Sequence, residues 1–290
     1  MKKSIFLSFL LVFIATGMMQ AQNAAPCGNQ YRLKKVMEVA GRQGIAADKD
    51  YYYVSSSTAL FKYTKDGKLV AKNEDPFKGL AKPANHFGDI DVHDGKIYTG
   101  IEWFVDGVGK DMQIAIYDAK TLQYLSSIDF DASSGQVEVC GITVDRQRNK
   151  AWTADWVDGK YLYRYDLTTG KYEGKVHLRP VPQYQQGIFY SNGKMLISAD
   201  DGDADFHETD NVYICDVTDL GQTATYVSLW KECKEFMRAG EIEGLCIDPE
   251  NDDFLVLTNR GSRIVLGMVK GFYTGYEKEI HEVYIYERIK

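Results

Sequence analysis

The residues best suited to chemistry in this sequence are acidic side chains that recur beside short, glycine-containing strands. Eight carboxylates lie close to such a glycine or at the end of the strand that follows it: Asp89, Glu102, Glu138, Asp155, Asp200, Asp201, Glu241 and Glu243. Two permanent cations, Arg42 and Arg260, occupy equivalent positions. If the fold gathers these positions, the repulsion between like charges requires a bound cation, protonated carboxyls, or a cationic or hydroxyl-rich ligand.

Each form of compensation implies a different chemistry. Calcium takes oxygen ligands from Asp, Glu, Asn and Gln, so a Ca²⁺ ion could sit among these residues. Carboxyls that stay protonated could instead act as general acids. For each residue, an equally weighted alternative is that its side chain points into solvent and does not contact the others.

His86 and two tryptophans accompany the acids. His86 precedes Asp89 in the sequence HFGD, where an imidazole could act as a base or as a metal ligand. A structural hydrogen bond to a neighbouring strand is an equally weighted alternative. Trp103 and Trp156 follow acids in IEW and ADW, which suits stacking on a sugar ring or an apolar substrate. Packing between neighbouring sheets is slightly favoured for both tryptophans.

These residues recur because the chain repeats. Each copy contains a landmark glycine, two apolar strands and a strand that ends near a tyrosine, and the landmark glycines are Gly44, Gly88, Gly141, Gly187 and Gly244. Repeats of roughly 45–50 residues with about four short strands each are typical of propeller blades. The innermost strands of such blades start at one common mouth. The acids near the glycines are therefore expected to line that mouth.

The two ends of the chain complement each other. The fifth copy stops after its third strand, while a spare strand at residues 31–39 precedes the first glycine. Pairing the spare strand with the last blade would close the ring and remove an open sheet edge. We therefore predict an all-β fold, a five-bladed β-propeller closed in this way. A six-bladed ring with one degenerate blade and a single β-sandwich are the alternatives.

The first residues read as a secretory signal peptide. Lys2 and Lys3 precede an apolar run at residues 5–19, and Ala21 offers a small residue for cleavage. We expect residues 1–21 to be removed, residues 22–290 to form a single propeller domain, and the protein to be exported to the periplasm or secreted. Lipidation at Cys27 is the disfavoured alternative.

Net charge limits the classes of partner that we expect, and cysteine content limits the disulfide bonds. The formal net charge is −7 and no basic stripe occurs, so we expect a monomer that binds a small molecule or a glycan, without nucleic acid or membrane insertion. Five cysteines in an oxidising compartment leave at least one that is unpaired or pairs between chains. Cys140, Cys215 and Cys246 lie in strand-like runs that favour buried thiols, which makes Cys27 and Cys233 the better disulfide candidates.

The glycine motifs carry a family resemblance at the level of architecture. Glu-Gly in EIEGL at Glu243 and Gln-Gly in RQGI and YQQGI look like the strand-start motifs of exported bacterial propellers. The chain resembles the broad class that includes NHL-type repeats, the gluconolactonase and paraoxonase group, and plant-type glutaminyl cyclases. In the lactonase group a strand-start Glu and later Asn and Asp residues hold calcium. The resemblance thus implies a metal site at Glu243, Asn259 and Asp200.

Two functions follow from these observations. The first is a calcium-dependent hydrolase of lactonase or esterase type, in which the catalytic residues are His86, Glu138 and Glu243. Its substrate-binding residues would be Arg42, Gln43, Trp103, Asp155, Trp156, Gln186 and Arg260. The second is a non-catalytic module that recognises a glycan or a protein at the same mouth. A glycosidase with paired carboxylates is a third interpretation.

Overall fold

The computed structural model describes residues 27–156, 158–203, 208–236, 240–261 and 278–289. The predicted signal peptide, residues 1–21, lies outside these ranges. The described chain is almost entirely β structure, with two single-turn 3₁₀ helices at Gly28–Gln30 and Ala132–Ser134. Within the described ranges, no helix has the length and apolarity that crossing a membrane requires.

The strands follow the repeat. The chain begins with β1 (Tyr31–Val39). The next four strands form one sheet: β2 (Gly44–Ala47), β3 (Tyr51–Ser56), β4 (Ala59–Thr64) and β5 (Leu69–Asn73). A second sheet of four contains β6 (His86–His93), β7 (Lys96–Val105), β8 (Val108–Asp118) and β9 (Tyr124–Asp129).

The remaining strands continue this pattern. A third set contains β10 (Gly141–Asp145), β11 (Lys150–Ala154), β12 (Tyr161–Asp166) and β13 (Tyr172–Arg179). A fourth contains β14 (Gln185–Ser191), β15 (Lys194–Ala199), β16 (Asn211–Asp216) and β17 (Ala224–Glu232). These two sets join into one eight-stranded sheet because their outermost strands, β13 and β17, pair in parallel. The chain ends with β18 (Gly240–Ile247), β19 (Phe254–Gly261) and β20 (Glu279–Arg288).

The ring closes as predicted from the sequence. Strand β1 pairs antiparallel with β20, from Tyr31 opposite Arg288 to Val39 opposite His281, and completes a four-stranded sheet in the order β1, β20, β19, β18. The fold is therefore a β-propeller in which the first and last strands share a sheet. The number of blades in the complete chain stays a prediction, because residues 262–277 lie outside the described residues.

The innermost strands surround a central axis. Strand β2 contacts β6, β6 contacts β10, β10 contacts β14, β14 contacts β18, and β18 contacts β2. Backbone hydrogen bonds tie neighbouring members together, from Asp89 N to Cys140 O (2.6 Å) and from Gly244 N to Gln43 O (3.0 Å). The innermost strands therefore all start at one end of the axis. We call that end the upper mouth and the end where they finish the lower mouth.

The axis itself is closed by Asp89. Its carboxylate accepts hydrogen bonds from the backbone N–H groups of Ile90 (2.8 Å) and Ile188 (3.3 Å), and the residue is buried. Glycine is required beside it, since a Cβ on Gly244 would lie 2.7 Å from the Cα of Gly44 and would collide with Asp89. Burial raises the pKa of Asp89 well above its usual range. The sequence placed Asp89 at the mouth, whereas the structure places it inside the ring.

The core follows from strand position. Innermost strands such as β2 and β10 are buried along their whole length, because sheets pack against both of their faces. The outermost strand β5 is mostly exposed, and only its last residue, Asn73, is buried. Large aromatic side chains fill the space between neighbouring sheets, with Tyr53, Tyr117 and Trp152 among those that are fully buried. Burial of this apolar surface is the main stabilising force of the fold.

The cysteines correct one expectation. All five thiols are free, so the structure does not pair Cys27 with Cys233. Cys233 is fully buried, despite its polar sequence neighbours, while Cys27 is exposed. The error arose because Cys233 lies just after β17, where the chain turns inward and packs in the same apolar cluster as Trp230 and Tyr286. The buried thiols of Cys140, Cys215 and Cys246 agree with the sequence prediction.

Candidate functional site

Polar side chains at the upper mouth form two clusters. The Glu102 cluster consists of His86, Glu102, Glu138 and Asp155, and is positioned by the second and third strand sets. The Glu243 cluster contains residues from the other sets: Arg42, Gln186, Asp200, Asp210, Glu241, Glu243, Asn259, Glu279 and His281. In the Glu102 cluster His86 and Glu102 are hydrogen-bonded to each other, and in the Glu243 cluster hydrogen bonds and ion pairs join several members.

His86 and Glu102 form the accessible part of the Glu102 cluster. They lie opposite each other in the β6–β7 register, and His86 Nδ1 is 3.3 Å from Glu102 Oε1. The other carboxylate oxygen of Glu102 accepts from the backbone N–H of Val139 (3.1 Å). The Glu102 carboxylate is fully buried, whereas the His86 side chain keeps 20% of its surface exposed. The imidazole can therefore reach a ligand while the carboxylate fixes its orientation.

Glu138 is a buried acid close to Glu102. Its Oε2 accepts from the backbone N–H of Trp156 at 2.6 Å, and the residue is 2% exposed. Burial raises the pKa of Glu138 well above its usual range, and repulsion from Glu102 raises it further. Burial likewise raises the pKa of Glu102, although its hydrogen bond with His86 opposes that shift. A proton is thus more strongly retained here than on carboxyls in water.

Asp155 completes the Glu102 cluster. Its Oδ2 accepts from the hydroxyl of Tyr163 at 2.7 Å. Burial raises the pKa of Asp155 to about 7, and the hydrogen bond from Tyr163 opposes part of this shift. Asp155 is therefore a buried group poised to change charge near neutral pH.

Glu243 and Asn259 form the centre of the Glu243 cluster. Asn259 Nδ2 donates to Glu243 Oε1 (2.5 Å) and to the carbonyl of Arg42 (2.8 Å). Asn259 Oδ1 in turn lies 2.9 Å from His281 Nδ1. Glu243 is buried, and burial raises its pKa well above the usual range, with further contributions from Glu241 and Asp200 that Arg42 opposes.

Arg42 supplies positive charge to this cluster. Its guanidinium lies 3.6 Å from Glu241 and 3.7 Å from Glu279, and about 30% of its side chain is exposed. Gln186 Nε2 donates to Glu241 Oε1 at 3.3 Å. These two predicted binding residues thus meet at Glu241. The arrangement leaves a cation and several oxygen atoms near solvent at the mouth.

Asp200 and Asp210 form a coupled carboxyl pair beside Glu241. Burial, together with repulsion from Asp210 and Glu241, raises the pKa of Asp200 to about 9. Burial also raises the pKa of Asp210 to about 7, and the nearby charge of Asp201 adds to this. Two such carboxyls share protons near neutral pH, as expected for like charges in a site of low dielectric constant.

Three predicted binding residues contribute differently. Gln43 takes part through its backbone, with its N–H bonded to Ser55 O and its carbonyl accepting from Gly244 N. Trp103 is 42% exposed on the β7–β8 hairpin. Arg260 makes a two-pronged ion pair with Glu282 (3.0 and 2.9 Å), and the Arg260 guanidinium thereby neutralises an acid on the neighbouring strand.

The sequence argument missed three members of the Glu243 cluster. Asp210, Glu279 and His281 lie in a loop and at the start of β20, outside the strand ends that the sequence predicts for the mouth. A signal existed for His281, because an antiparallel third strand in the last blade would face Asn259, as the observed register confirms. Nothing in the spacing of Asp210 indicated its proximity to Asp200.

The upper mouth provides only some of the ligands that a calcium site needs. The carboxylate and amide oxygens of Glu243, Asn259 and Asp200 are of the type that Ca²⁺ prefers. Asn259, however, is bonded on both sides to Glu243 and His281. Among the described residues, no three His, Cys, Asp or Glu side chains converge in a way that could hold a metal ion. We therefore derive no chemical step through a metal.

A cavity of about 600 Å³ adjoins the Glu102 cluster. Trp156 and Tyr184 line it, with ring centroids 6.1 Å apart and planes inclined by 40°. Lys160 and Gln183 add polar groups to the same wall. Since the backbone N–H of Trp156 is bonded to Glu138, the cavity and the buried acids are directly connected. We call this space the Trp156 cavity.

Fold and site together define the protein as a β-propeller with an acidic upper mouth. Comparison with solved structures gives a similar chain in the Myxococcus xanthus glutaminyl cyclase, with a TM-score of 0.56 and 10% identity over 88% of this chain and 96% of that one. The Kuenenia stuttgartiensis hydrazine synthase is similar with a TM-score of 0.45 and 10% identity, over 85% of this chain and 63% of that one. The first similarity supports the propeller architecture and, at this identity, the architecture alone.

Sequence comparisons do not assign the chain to a protein family. No protein-family model matches the chain, and a search of curated proteins gives no match. The comparisons therefore support the propeller architecture, while membership of a sequence family is not shown.

Proposed function

We propose that the protein is an exported enzyme that hydrolyses a small ester or lactone at the upper mouth, with His86 as general base. The observation that carries this proposal is the hydrogen bond between the part-exposed His86 and the buried Glu102. A base within reach of a ligand and oriented by a third group is the usual arrangement for activating water or a hydroxyl.

The proposed step uses the free ring nitrogen. Glu102 accepts the Nδ1 proton of His86, which leaves Nε2 to take a proton from water. The water oxygen bonds to the substrate's carbonyl carbon, the C–O bond to the alcohol breaks, and the proton returns to the alcohol oxygen. Glu138 supports this site by its hydrogen bond, since its Oε2 accepts from the backbone N–H of Trp156 (2.6 Å) and holds the chain in place beside Glu102.

A panel of lactones and aryl esters tests the proposal. His86→Gln should lower kcat/KM at least 100-fold, since general base catalysis contributes roughly 10²–10⁴-fold. His177→Gln is the matched control, because His177 lies on an outermost strand against Tyr161 and away from the mouth. A glutaminyl peptide belongs in the same panel, since the similar solved structure is that of a glutaminyl cyclase. Absence of ester and lactone turnover by the unaltered protein would overturn the proposal.

A calcium requirement is tested separately. If Glu243, Asn259 and Asp200 hold Ca²⁺, added calcium should raise the melting temperature, and Glu243→Gln should remove that gain. Indifference of melting and activity to a chelator would exclude a calcium requirement without touching the role of His86.

Glycan binding is the second candidate, and the Trp156 cavity favours it. Two inclined aromatic rings beside polar side chains form a surface on which sugar rings stack. Tyr184 is 56% exposed, so Tyr184→Ala should reduce binding to an oligosaccharide array without disturbing the core. Tyr226→Ala is the matched control, since Tyr226 is more exposed and does not line this cavity.

A further inference from the structure

A second cavity lies at the lower mouth, at the opposite end of the axis. Its volume is about 420 Å³, and its wall includes the ends of β2, β6, β14 and β18 and the turn after β10. Ala47, Val92, Phe189 and Ile247 provide apolar surface, one from each of four strands. A cavity of this size suits a small organic molecule with an apolar body.

Arg146 supplies a fixed cation in this wall. Its Nη2 donates to Asp91 Oδ1 (2.6 Å) and to the carbonyl of Val92 (3.0 Å), and its Nη1 donates to the carbonyl of Val144 (3.2 Å). Within the described residues no acceptor is bonded to its Nε. About a third of the side chain remains exposed. The guanidinium is thus held in place while keeping donors for a ligand.

Phe189 lies against this cation. The guanidinium carbon of Arg146 is 5.6 Å from the centroid of the Phe189 ring, within the range of a cation–π contact. Lys49 and His93 also line the cavity, and burial together with the charge of Arg146 lowers the pKa of His93. The carboxylate of Asp48 does not oppose an anion strongly, because Asp50 N, Tyr51 N and Tyr53 OH already donate to it.

The lower cavity is separate from the upper mouth. Asp89 and the glycines packed around it fill the axis between the two ends. A ligand in the lower cavity therefore cannot be a substrate on its way to His86.

We propose that the lower cavity binds a small aromatic carboxylate, whose ring packs on Phe189 and whose carboxylate meets Arg146. An Arg–carboxylate contact fixes the charged end, since guanidinium and carboxylate match in geometry. The apolar wall takes the ring. Neither a short aliphatic acid nor a neutral aromatic amide satisfies both parts.

Calorimetric titration with benzoate tests this inference, with acetate and benzamide as partial analogues. Benzoate should bind at one site per chain, and acetate and benzamide should bind at least tenfold more weakly. Arg146→Lys keeps the charge beside Asp91 but removes the fork, and should weaken benzoate at least tenfold. Phe189→Leu should weaken benzoate several-fold while leaving acetate unchanged.

Two matched variants locate the site. Arg148→Lys changes a neighbouring arginine that pairs with Asp145 (3.5 Å) and does not line the cavity, so benzoate affinity should not change. Arg42→Lys alters the exposed cation of the upper mouth and should also leave benzoate affinity unchanged. Failure of benzoate to bind, equal binding of benzamide, or loss of binding in Arg42→Lys alone would each overturn the inference. None of these outcomes bears on esterase activity at His86.

Discussion

Buried acids at the two ends of the axis differ in whether a cation lies beside them. At and near the lower mouth, buried carboxylates have cationic partners within 4 Å: Asp91 with Arg146 at 2.6 Å, Asp248 with Lys65 at 2.7 Å, and Asp145 with Arg148 at 3.5 Å. At the upper mouth, Glu138, Asp155 and Asp200 have no cationic partner within that distance among the described residues. The lower acids thus lie beside a cation, whereas burial raises the pKa values of the three upper acids.

This difference separates structural acids from candidate functional ones. An ion pair that anchors a turn fixes its charge and holds the strand ends together. Carboxyls whose pKa values have moved toward neutrality can instead take up and release protons. Buried acids at the two ends of the axis therefore have different roles, and the role depends on whether a cation lies beside the acid.

The largest expected effect is on the lower mouth. Arg146→Met leaves buried Asp91 without its counter-ion, although Val92 N, Thr143 Oγ1 and Val144 N still donate to it. It should cost about 2 kcal/mol of unfolding free energy, less than for a fully buried pair because a third of the Arg146 side chain is exposed. In a chain of this size the melting temperature should fall by roughly 5 °C. Differential scanning calorimetry measures both.

Lys72→Met is the control for this prediction. It breaks an exposed ion pair with Glu74 of similar length (2.8 Å), and exposed pairs contribute about 0–1 kcal/mol. Equal destabilisation by the two variants would contradict the distinction between paired buried acids and ordinary surface charges.

The pH dependence of stability should single out the upper mouth. The folded-state pKa of Asp200, about 9, lies above the unfolded value of roughly 3.9, so the folded state binds an extra proton between these limits. This contribution is complete below pH about 4 and is lost as the pH rises toward 9. Asp200→Asn should therefore melt with a shallower decline between pH 5 and 9 than the unaltered protein.

Asp129→Asn serves as the comparison variant in that series, because Asp129 is 59% exposed and pairs with Lys82 at the surface. Its melting profile should run parallel to that of the unaltered protein. A profile of Asp200→Asn parallel to both would mean that a bound cation or another group compensates the charge of Asp200.

The smallest effect is expected at Glu138. Because burial raises the pKa of Glu138 and favours its neutral form, Glu138→Gln introduces a neutral group of similar shape that can still accept from Trp156 N. Its free energy of unfolding at pH 7 should change by less than about 1 kcal/mol. Chemical denaturation at pH 7 checks this, and a loss comparable to that of Arg146→Met would indicate that Glu138 is ionised.

The repeat and the closure of the ring could be predicted from the sequence, because strand patterns and glycine spacing are local signals. The proximity of Glu243 and Asn259 was expected from the resemblance to calcium-binding lactonases, and their side chains are hydrogen-bonded in the structure. The counter-ions could not be predicted: Arg146 and Asp91 are 55 residues apart and belong to different strand sets. Which of Asp89, Asp155 and Asp200 would face the mouth depends on side-chain direction and on packing between blades, and no spacing in the sequence encodes that.

Sharing one sheet between β1 and β20 has a consequence for biosynthesis. Strand β1 is synthesised before the other strands of the propeller and finds its hydrogen-bonding partner in β20, so the sheets made in between remain an open arc until β20 has been synthesised. Removing β20 should therefore leave the ring open, with two exposed sheet edges available for aggregation.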